Sequence, residues 1–231
     1  MRFPPARQLL RETKSRFKPA VRAVLRTTGG EALDEAALPA YAHRNPLIDM
    51  VFWRRLGVAF AEACRQDGWR ALDFGCGTGV MSETLAKAGF AVTAIDRDLG
   101  PKRLLEPRIG FDRSITFVEG DLLALDLPPG SFDVVMALDV LEHITPLGPY
   151  MRAFERLLTP RGVLIVSGPT ENALYRLGRK LAGKEFTGHY HVCDVHDVAD
   201  SARETFDVST LARIIWPAAL FEVLSCRKRV R

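Results

Sequence analysis

Between residues 70 and 226, short apolar runs alternate with stretches whose apolar residues recur every three to four positions. RALDF (70–74), AVTAI (91–95), ITFV (115–118), FDVVMA (132–137) and GVLIVS (162–167) have the length and apolar content of buried strands. The stretches 79–88, 98–106, 147–158, 170–182 and 194–202 carry helical spacing, and 204–209 and 220–226 predict two closing strands. Strand–helix alternation that ends in a strand pair predicts an α/β sandwich around a mostly parallel sheet. No internal repeat or low-complexity segment interrupts it.

Upstream, residues 46–66 predict a helix. Pro46 suits a first helical position, and Leu47, Met50, Val51, Arg54, Val58 and Ala61 form a mostly apolar stripe, with Gly68 as a stop. In residues 1–26, Phe3, Ala6, Leu10, Phe17, Val21 and Val24 share one helical face, while Pro4, Pro5 and Pro19 argue against one unbroken helix. Thr27–Gly30 then punctuates the chain, and an acidic, Ala-rich 31–38 leads to Pro39. This predicts a basic N-terminal arm and lid over 1–43 and one domain over 44–231.

The length of 231 residues and the 47 % apolar content fit one domain with an appendage. No apolar run approaches the length of a membrane span, and no signal-like apolar core opens the chain. Cys64, Cys76, Cys193 and Cys226 form no CxxC pair, which argues against a disulfide framework or zinc site and for a reducing, cytoplasmic setting. The net charge of +4 is unevenly spread. Residues 1–26 hold eight Lys/Arg against Glu12, Arg227–Arg231 holds four more, and the stretch between them is left at −7. Basic ends on an acidic body suggest an anionic partner, lipid headgroups or nucleic acid. Residues 1–26 would lie on an anionic membrane surface, or pack their apolar stripe on their own domain.

The strongest chemical signal is Leu72-Asp73-Phe74-Gly75-Cys76-Gly77-Thr78-Gly79. A strand runs into three alternate glycines and then a helix, which lets the backbone turn sharply and approach a ligand. Gly75 and Gly77 match the first two positions of a dinucleotide fingerprint, but Val80 stands at the third. Thr78-Gly79-Val80 also lacks the Lys-Ser/Thr ending of a P-loop. Asp73 would repel pyrophosphate and attract a cation. S-adenosylmethionine has no phosphate and carries an ammonium and a sulfonium, so Asp73 favours it over NAD.

This motif resembles the first motif of the class I S-adenosylmethionine-dependent methyltransferases. Ala94-Ile95-Asp96, Phe117–Asp121, Phe132–Ile144 and Leu157–Val166 resemble the family's later motifs in order, over roughly 45–226. The resemblance implies a Rossmann-like three-layer sandwich with a seven-stranded, mostly parallel sheet of order 3-2-1-4-5-7-6. It further implies that Asp73, Gly75, Cys76 and Gly77 hold the methionine end of the cofactor and that Asp96, with Arg97 beside it, holds the ribose. Asp121 and Leu122 would bind the adenine, and Leu138 would touch the cofactor from the fourth strand. Leu141-Glu142-His143 is similar to the ubiquinone-biosynthesis-type O-methyltransferases. Tyr41–Pro46 resembles their N-terminal lid, where Tyr41 and Asn45 would cover the cofactor or anchor the incoming helix. Ala137-Leu138-Asp139-Val140 departs from the Asn/Asp-Pro-Pro-aromatic motif of nucleobase amine methyltransferases, which disfavours that chemistry. The metal-assisted catechol type needs a ligand pair around the fourth and fifth strands; Asp139 could be one, but with Ser167–Asn172 after the fifth strand no metal is expected.

A hydroxyl acceptor benefits from a general base. His143 after the fourth strand is one candidate, as base or as a group that orients its loop. His189 and His191, which alternate in Gly188-His189-Tyr190-His191, are the others, in an acceptor-site or structural role. Asp194 reads as a helix N-cap. Arg176, Arg179, Lys180 and Lys184 would meet an anionic acceptor or form a solvated face. The expected activity is methyl transfer to a small-molecule or lipid- or glycan-linked acceptor, by preference on oxygen. The alternatives are a non-catalytic cofactor-binding partner subunit and an RNA methyltransferase.

Overall fold

The computed structural model describes residues 6–28, 42–43, 45–170, 192–215 and 219–229. Helices α1 (Ala6–Thr28) and α2 (Pro46–Ala63) precede β1 (Arg70–Phe74), α3 (Val80–Lys87), β2 (Ala91–Asp96), α4 (Gly100–Ile109) and β3 (Ile115–Glu119). There follow β4 (Phe132–Leu138), α5 (Gly148–Leu157), β5 (Leu158–Pro169), α6 (Val195–Arg203), β6 (Phe206–Ile215) and β7 (Ala219–Lys228). The seven strands form one sheet in the order β3-β2-β1-β4-β5-β7-β6, as expected. Strands β1 to β5 are parallel, and β7 runs antiparallel to both β5 and β6. Beyond Thr170, the helix expected over 170–182 lies outside the described residues, as does Trp216-Pro217, where the sequence predicts a turn between the last two strands. Among the described residues no helix is long and apolar enough to cross a membrane.

The strands read as continuous apolar runs because both faces of the sheet are covered. Ala71, Val134, Met136, Val163 and Ile165 face a core shared with α1 to α4. Their alternates Leu72, Val135, Ala137, Leu164 and Val166 face a second core with α5 and α6. The period-2 alternation of Cβ atoms divides each run between the two layers.

The prolines do not divide the N-terminal helix. Pro4 and Pro5 precede α1, and the helix continues through Pro19, which lies exposed. There the lost hydrogen bond falls on the solvent side, while Phe17, Ala20, Val21 and Val24 are buried around it. This apolar face packs on α2, α3 and α4 and belongs to the same core as the sheet. Of the two readings of this stripe, the structure has Phe17, Val21 and Val24 packed on the domain itself.

The expected stripe of α2 is also corrected. Asn45 caps the helix by accepting the Leu47 N–H at 2.9 Å, so it anchors the incoming chain. Leu47, Met50 and Arg54 are exposed, and the buried face carries Val51, Arg55, Leu56, Ala59, Phe60 and Ala63. Arg55 is fully buried. Its guanidinium lies 4.3 Å from the centre of the Phe52 ring and 4.8 Å from that of Phe221 in β7. Its Nη2 pairs with the carboxylate of Asp139, just past β4. Asp139 sits at φ +54°, a region that, glycine aside, residues with short polar side chains visit most readily. The Ser167 hydroxyl donates to its Oδ1 at 2.9 Å, and its own N–H donates to the Ser167 carbonyl at 3.0 Å.

The basic C-terminal end is consumed internally as far as it is described. Arg227 pairs with buried Glu62 of α2 at 3.0 Å, Lys228 donates to the Leu158 carbonyl at 2.6 Å, and Arg229 lies 3.7 Å from Asp207.

Removing one partner of a buried ion pair leaves the other charge uncompensated and costs about 3–5 kcal/mol. Arg55→Met is therefore expected to lower the unfolding free energy by about that amount. Adding Asp139→Asn should recover more than half of the loss in urea denaturation. Strictly additive losses in the double variant would show that the two groups are not coupled.

Candidate functional site

The carboxyl ends of β1 to β4 lie side by side. Phe74 is in register with Ile95 and Ala137, and Asp96 with Glu119. Open parallel sheets bind ligands at this edge. The chain leaves β1 through the turn Gly75–Gly79 into α3. Gly75 has φ +72°, and a Cβ on it would come within 2.5 Å of Val140, so the turn and the segment after β4 touch. Gly77 has φ +50°, and a Cβ there would meet nothing within 4 Å. One glycine thus permits a close approach of two backbones, and the other faces open space. The turn is clamped to β2: the Gly75 and Cys76 N–H groups donate to the Ile95 carbonyl at 2.8 and 3.1 Å, and the Gly77 N–H donates to the Asp96 carboxylate at 2.7 Å.

Four carboxylates, Asp73, Asp96, Asp121 and Asp139, gather at this edge. Asp73 is buried beneath the turn and accepts from the Ser82 hydroxyl of α3 at 2.5 Å. Burial above all, and the Asp96 charge, push its pKa up to about 6 against the Ser82 hydrogen bond. Asp121 caps the short turn Leu122–Ala124 by accepting the Leu123 N–H at 3.0 Å. Arg97 donates to it at 2.7 Å, and the Tyr150 hydroxyl of α5 donates at 2.9 Å. Burial raises the pKa of Asp121, but the Leu123 N–H, Arg97 and Tyr150 outweigh it and hold the carboxyl below its usual range. Arg97 thus turns toward Asp121 and Tyr150. Leu122 is buried beside them, Cys76 is buried in the turn, and Leu138 is half-buried at the end of β4.

The structure therefore brings together Asp73, Gly75, Cys76, Gly77, Asp96, Arg97, Asp121, Leu122 and Leu138 along one edge. His143 ends a short turn, Leu141–His143, in which Leu141 and Glu142 are buried and His143 is exposed. His189, His191, Tyr41 and the cluster Arg176, Arg179, Lys180 and Lys184 lie outside the described residues. Asp194 caps α6 with a reciprocal capping box to Asp197, as expected. Among the described residues no group of three His, Cys, Asp or Glu side chains is placed to hold a metal ion.

Motif matching missed Ser82, Tyr150, Ser167 and Arg55. The first three are polar residues with no local signature. Arg55 left a signal, since a helical projection places it among Val51, Phe52, Ala59 and Ala63.

Two features test the site against the expected cofactor. Among the described residues Asp73, buried beneath the glycine turn, and Asp96, which accepts from its Gly77 N–H, make no ion pair. The Thr78 hydroxyl, in the same turn, is buried without a hydrogen-bond partner. Unneutralised carboxylates disfavour phosphate and favour a ligand that brings a cation and hydroxyl donors. S-adenosylmethionine fits on both counts.

Comparison with known proteins points the same way. Residues 72–166 match a family described as a methyltransferase domain. The chain is 31% identical over 134 residues to the ubiquinone biosynthesis O-methyltransferase of Caulobacter vibrioides, covering 57% of this chain and 52% of the relative. The chain thus spans about half the length of the curated relatives it matches. Among solved structures, 1,6-didemethyltoxoflavin-N1-methyltransferase of Burkholderia thailandensis, with bound S-adenosylhomocysteine, superposes with a TM-score of 0.60 at 22% identity over 90% of this chain and 89% of that one. The N-methyltransferase NodS of Bradyrhizobium japonicum, also with S-adenosylhomocysteine, gives 0.61 at 16% identity over 93% and 100%. Residues 72–166 thus match a methyltransferase domain, and the seven-stranded sheet has the Rossmann-like fold of these solved methyltransferases.

Proposed function

We propose that the protein transfers a methyl group from S-adenosylmethionine to an oxygen of a small-molecule or lipid- or glycan-linked acceptor. The observation that carries this reading is the pair Asp73 and Asp96, two carboxylates without a cationic partner among the described residues, one buried beneath the glycine turn and one bonded to its Gly77 N–H. Oxygen is favoured by the name of the Caulobacter relative, an O-methyltransferase. When bound, the cofactor supplies a methyl group already activated by its sulfonium.

The chain's own residues then have mainly to position and desolvate the partners. Asp73 takes the ammonium, Asp96 accepts from the ribose hydroxyls, and Asp121 with Leu122 meets the adenine. Gly77 leaves room for the ligand where any Cβ would intrude. Leu138 touches the cofactor from the end of β4. A hydroxyl acceptor must lose a proton as its oxygen attacks the methyl carbon, and His143, His189 and His191 are the candidate bases.

Calorimetric titration with S-adenosylhomocysteine tests the reading. Binding is expected for the wild-type chain, and Asp96→Ala should weaken it at least tenfold, the usual worth of hydrogen bonds to a charged group. A folded chain that does not bind, or an Asp96→Ala variant that binds equally well, would sink the assignment.

The raised pKa of Asp73 adds a pH dependence. Its carboxyl is neutral below about 6, and only the ionised form attracts an ammonium. Affinity should therefore rise roughly tenfold between pH 5 and 7 and then level off, and Asp73→Asn should flatten the profile. A wild-type affinity independent of pH over that range would remove Asp73 from the ammonium site.

A further inference from the structure

We propose that the outward face of α1, with the adjoining turn of α2, docks the protein on an anionic lipid bilayer. Five of the seven Lys/Arg side chains of α1 and α2 that bear on this face are exposed: Arg7, Arg11, Arg22 and Arg26 on α1, and Arg54 on α2. Lys14 and Lys18 are the other two, and both are spent on Asp49, each at 2.6 Å. On a helix with 100° per residue, the four α1 arginines fall within an arc of about 100° and extend over roughly 28 Å of helix. Their arc is opposite the buried line of Leu9, Thr13, Phe17, Ala20, Val21 and Val24, which fixes the helix to the domain. The arginine row is therefore held facing outward by the core rather than by a flexible arm.

The remaining cations of the basic ends have partners within the fold, among the described residues. Arg16 reaches the buried Glu83 at 2.8 Å, and Arg227 the buried Glu62 at 3.0 Å. Arg7, Arg11, Arg26 and Arg54 make no ion pair among the described residues, and Arg22 donates only its Nε–H to the Ala42 carbonyl at 3.3 Å. The one exposed acid on α1 is Glu12. A single-signed surface left uncompensated on a protein whose middle carries −7 fits an anionic partner.

A bilayer is favoured over nucleic acid by the apolar side chains set into the same face. A groove between α1 and α2 is lined by Leu10, Arg11, Lys14, Met50, Trp53 and Arg54. Met50 is 42% exposed, and Leu47, one turn earlier on the same side of α2, is 39% exposed. Two exposed aliphatic side chains beside an arginine row suit the boundary between headgroups and acyl chains. A phosphodiester backbone offers them nothing comparable. The exposed part of the apolar stripe of α2, Leu47 and Met50, is on this view its lipid-facing side.

Co-sedimentation of the full chain with vesicles tests the proposal independently of methyl transfer. Wild-type protein should bind vesicles containing phosphatidylglycerol and not those of phosphatidylcholine alone, and high salt should release it. Arg7→Glu/Arg11→Glu/Arg54→Glu should weaken binding roughly 100-fold, about fivefold for each surface arginine lost. These residues are exposed, so the fold and S-adenosylhomocysteine binding should be retained. Arg113→Glu/Arg152→Glu/Arg161→Glu makes the same change of net charge on exposed sites elsewhere and should bind like wild type. The proposal is overturned if wild-type protein ignores anionic vesicles or binds both kinds equally. It is also overturned if the two triple variants behave alike, or if poly(U) is bound through these arginines while vesicles are not.

Discussion

Acidic side chains crowded at the carboxyl edge of a parallel sheet repel one another, and burial strengthens that repulsion. Asp73, Asp96, Asp121 and Asp139 stand at this edge, and the surrounding structure is arranged around their charges. Asp139 is neutralised by a guanidinium brought in from α2 between two phenyl rings. Asp121 is neutralised by Arg97 and steadied by the Tyr150 hydroxyl from α5. Asp96 receives the Gly77 N–H, and Asp73 is left with a Ser82 hydroxyl and a raised pKa. The two acids that receive a cation tie α2 and α5 to the sheet. The two that receive none define where a cationic, hydroxyl-bearing ligand lowers the free energy most.

Much of this arrangement was legible in the sequence because it rests on local rules. Each of the first five strands is a short apolar run, and the parallel sheet buries both of its faces, so length and composition sufficed to find it. The Gly75–Gly79 turn announced itself through glycine spacing and Asp73 through its place beside it, whereas Asp96 and Asp121 were singled out by the resemblance to the methyltransferase motifs. What was not legible depends on partners distant in the chain. Pro19 reads as a helix breaker locally, but it lies on the solvent side of a helix whose other face fills the core. In α2 two arcs compete, and the one that looks more apolar includes Leu47 and Met50, which are exposed. The true buried arc looks polar because it contains Arg55 and Glu62. Each of these has a partner supplied from another element, Asp139 after β4 and Arg227 in β7. A hydrophobicity count penalises such charges, although pairing is what lets them be buried.

Pairing also explains how the N-terminal helices are related to the site. An exposed ion pair contributes little to stability, but the acids that receive Arg16 and Arg227 are buried, and a buried acid without its partner is costly. Glu83 lies in α3, directly after the glycine turn, and its other carboxylate oxygen accepts the Asp112 N–H at 2.9 Å. Through Arg16, α1 is therefore joined to the helix that the turn opens. Through Arg55, α2 is joined to the residue that follows β4. The Arg55 Nε and Nη1 atoms have no hydrogen-bond partner, so their hold on this position comes from Asp139 and the flanking rings rather than from a saturated network. A polar network left incomplete in the core is stable only while packing keeps water out. The buried face of α2, and the α1 helix packed over it, supply that exclusion. The N-terminal helices are thus tied to the elements that frame the glycine turn, even though the domain match begins only at Leu72.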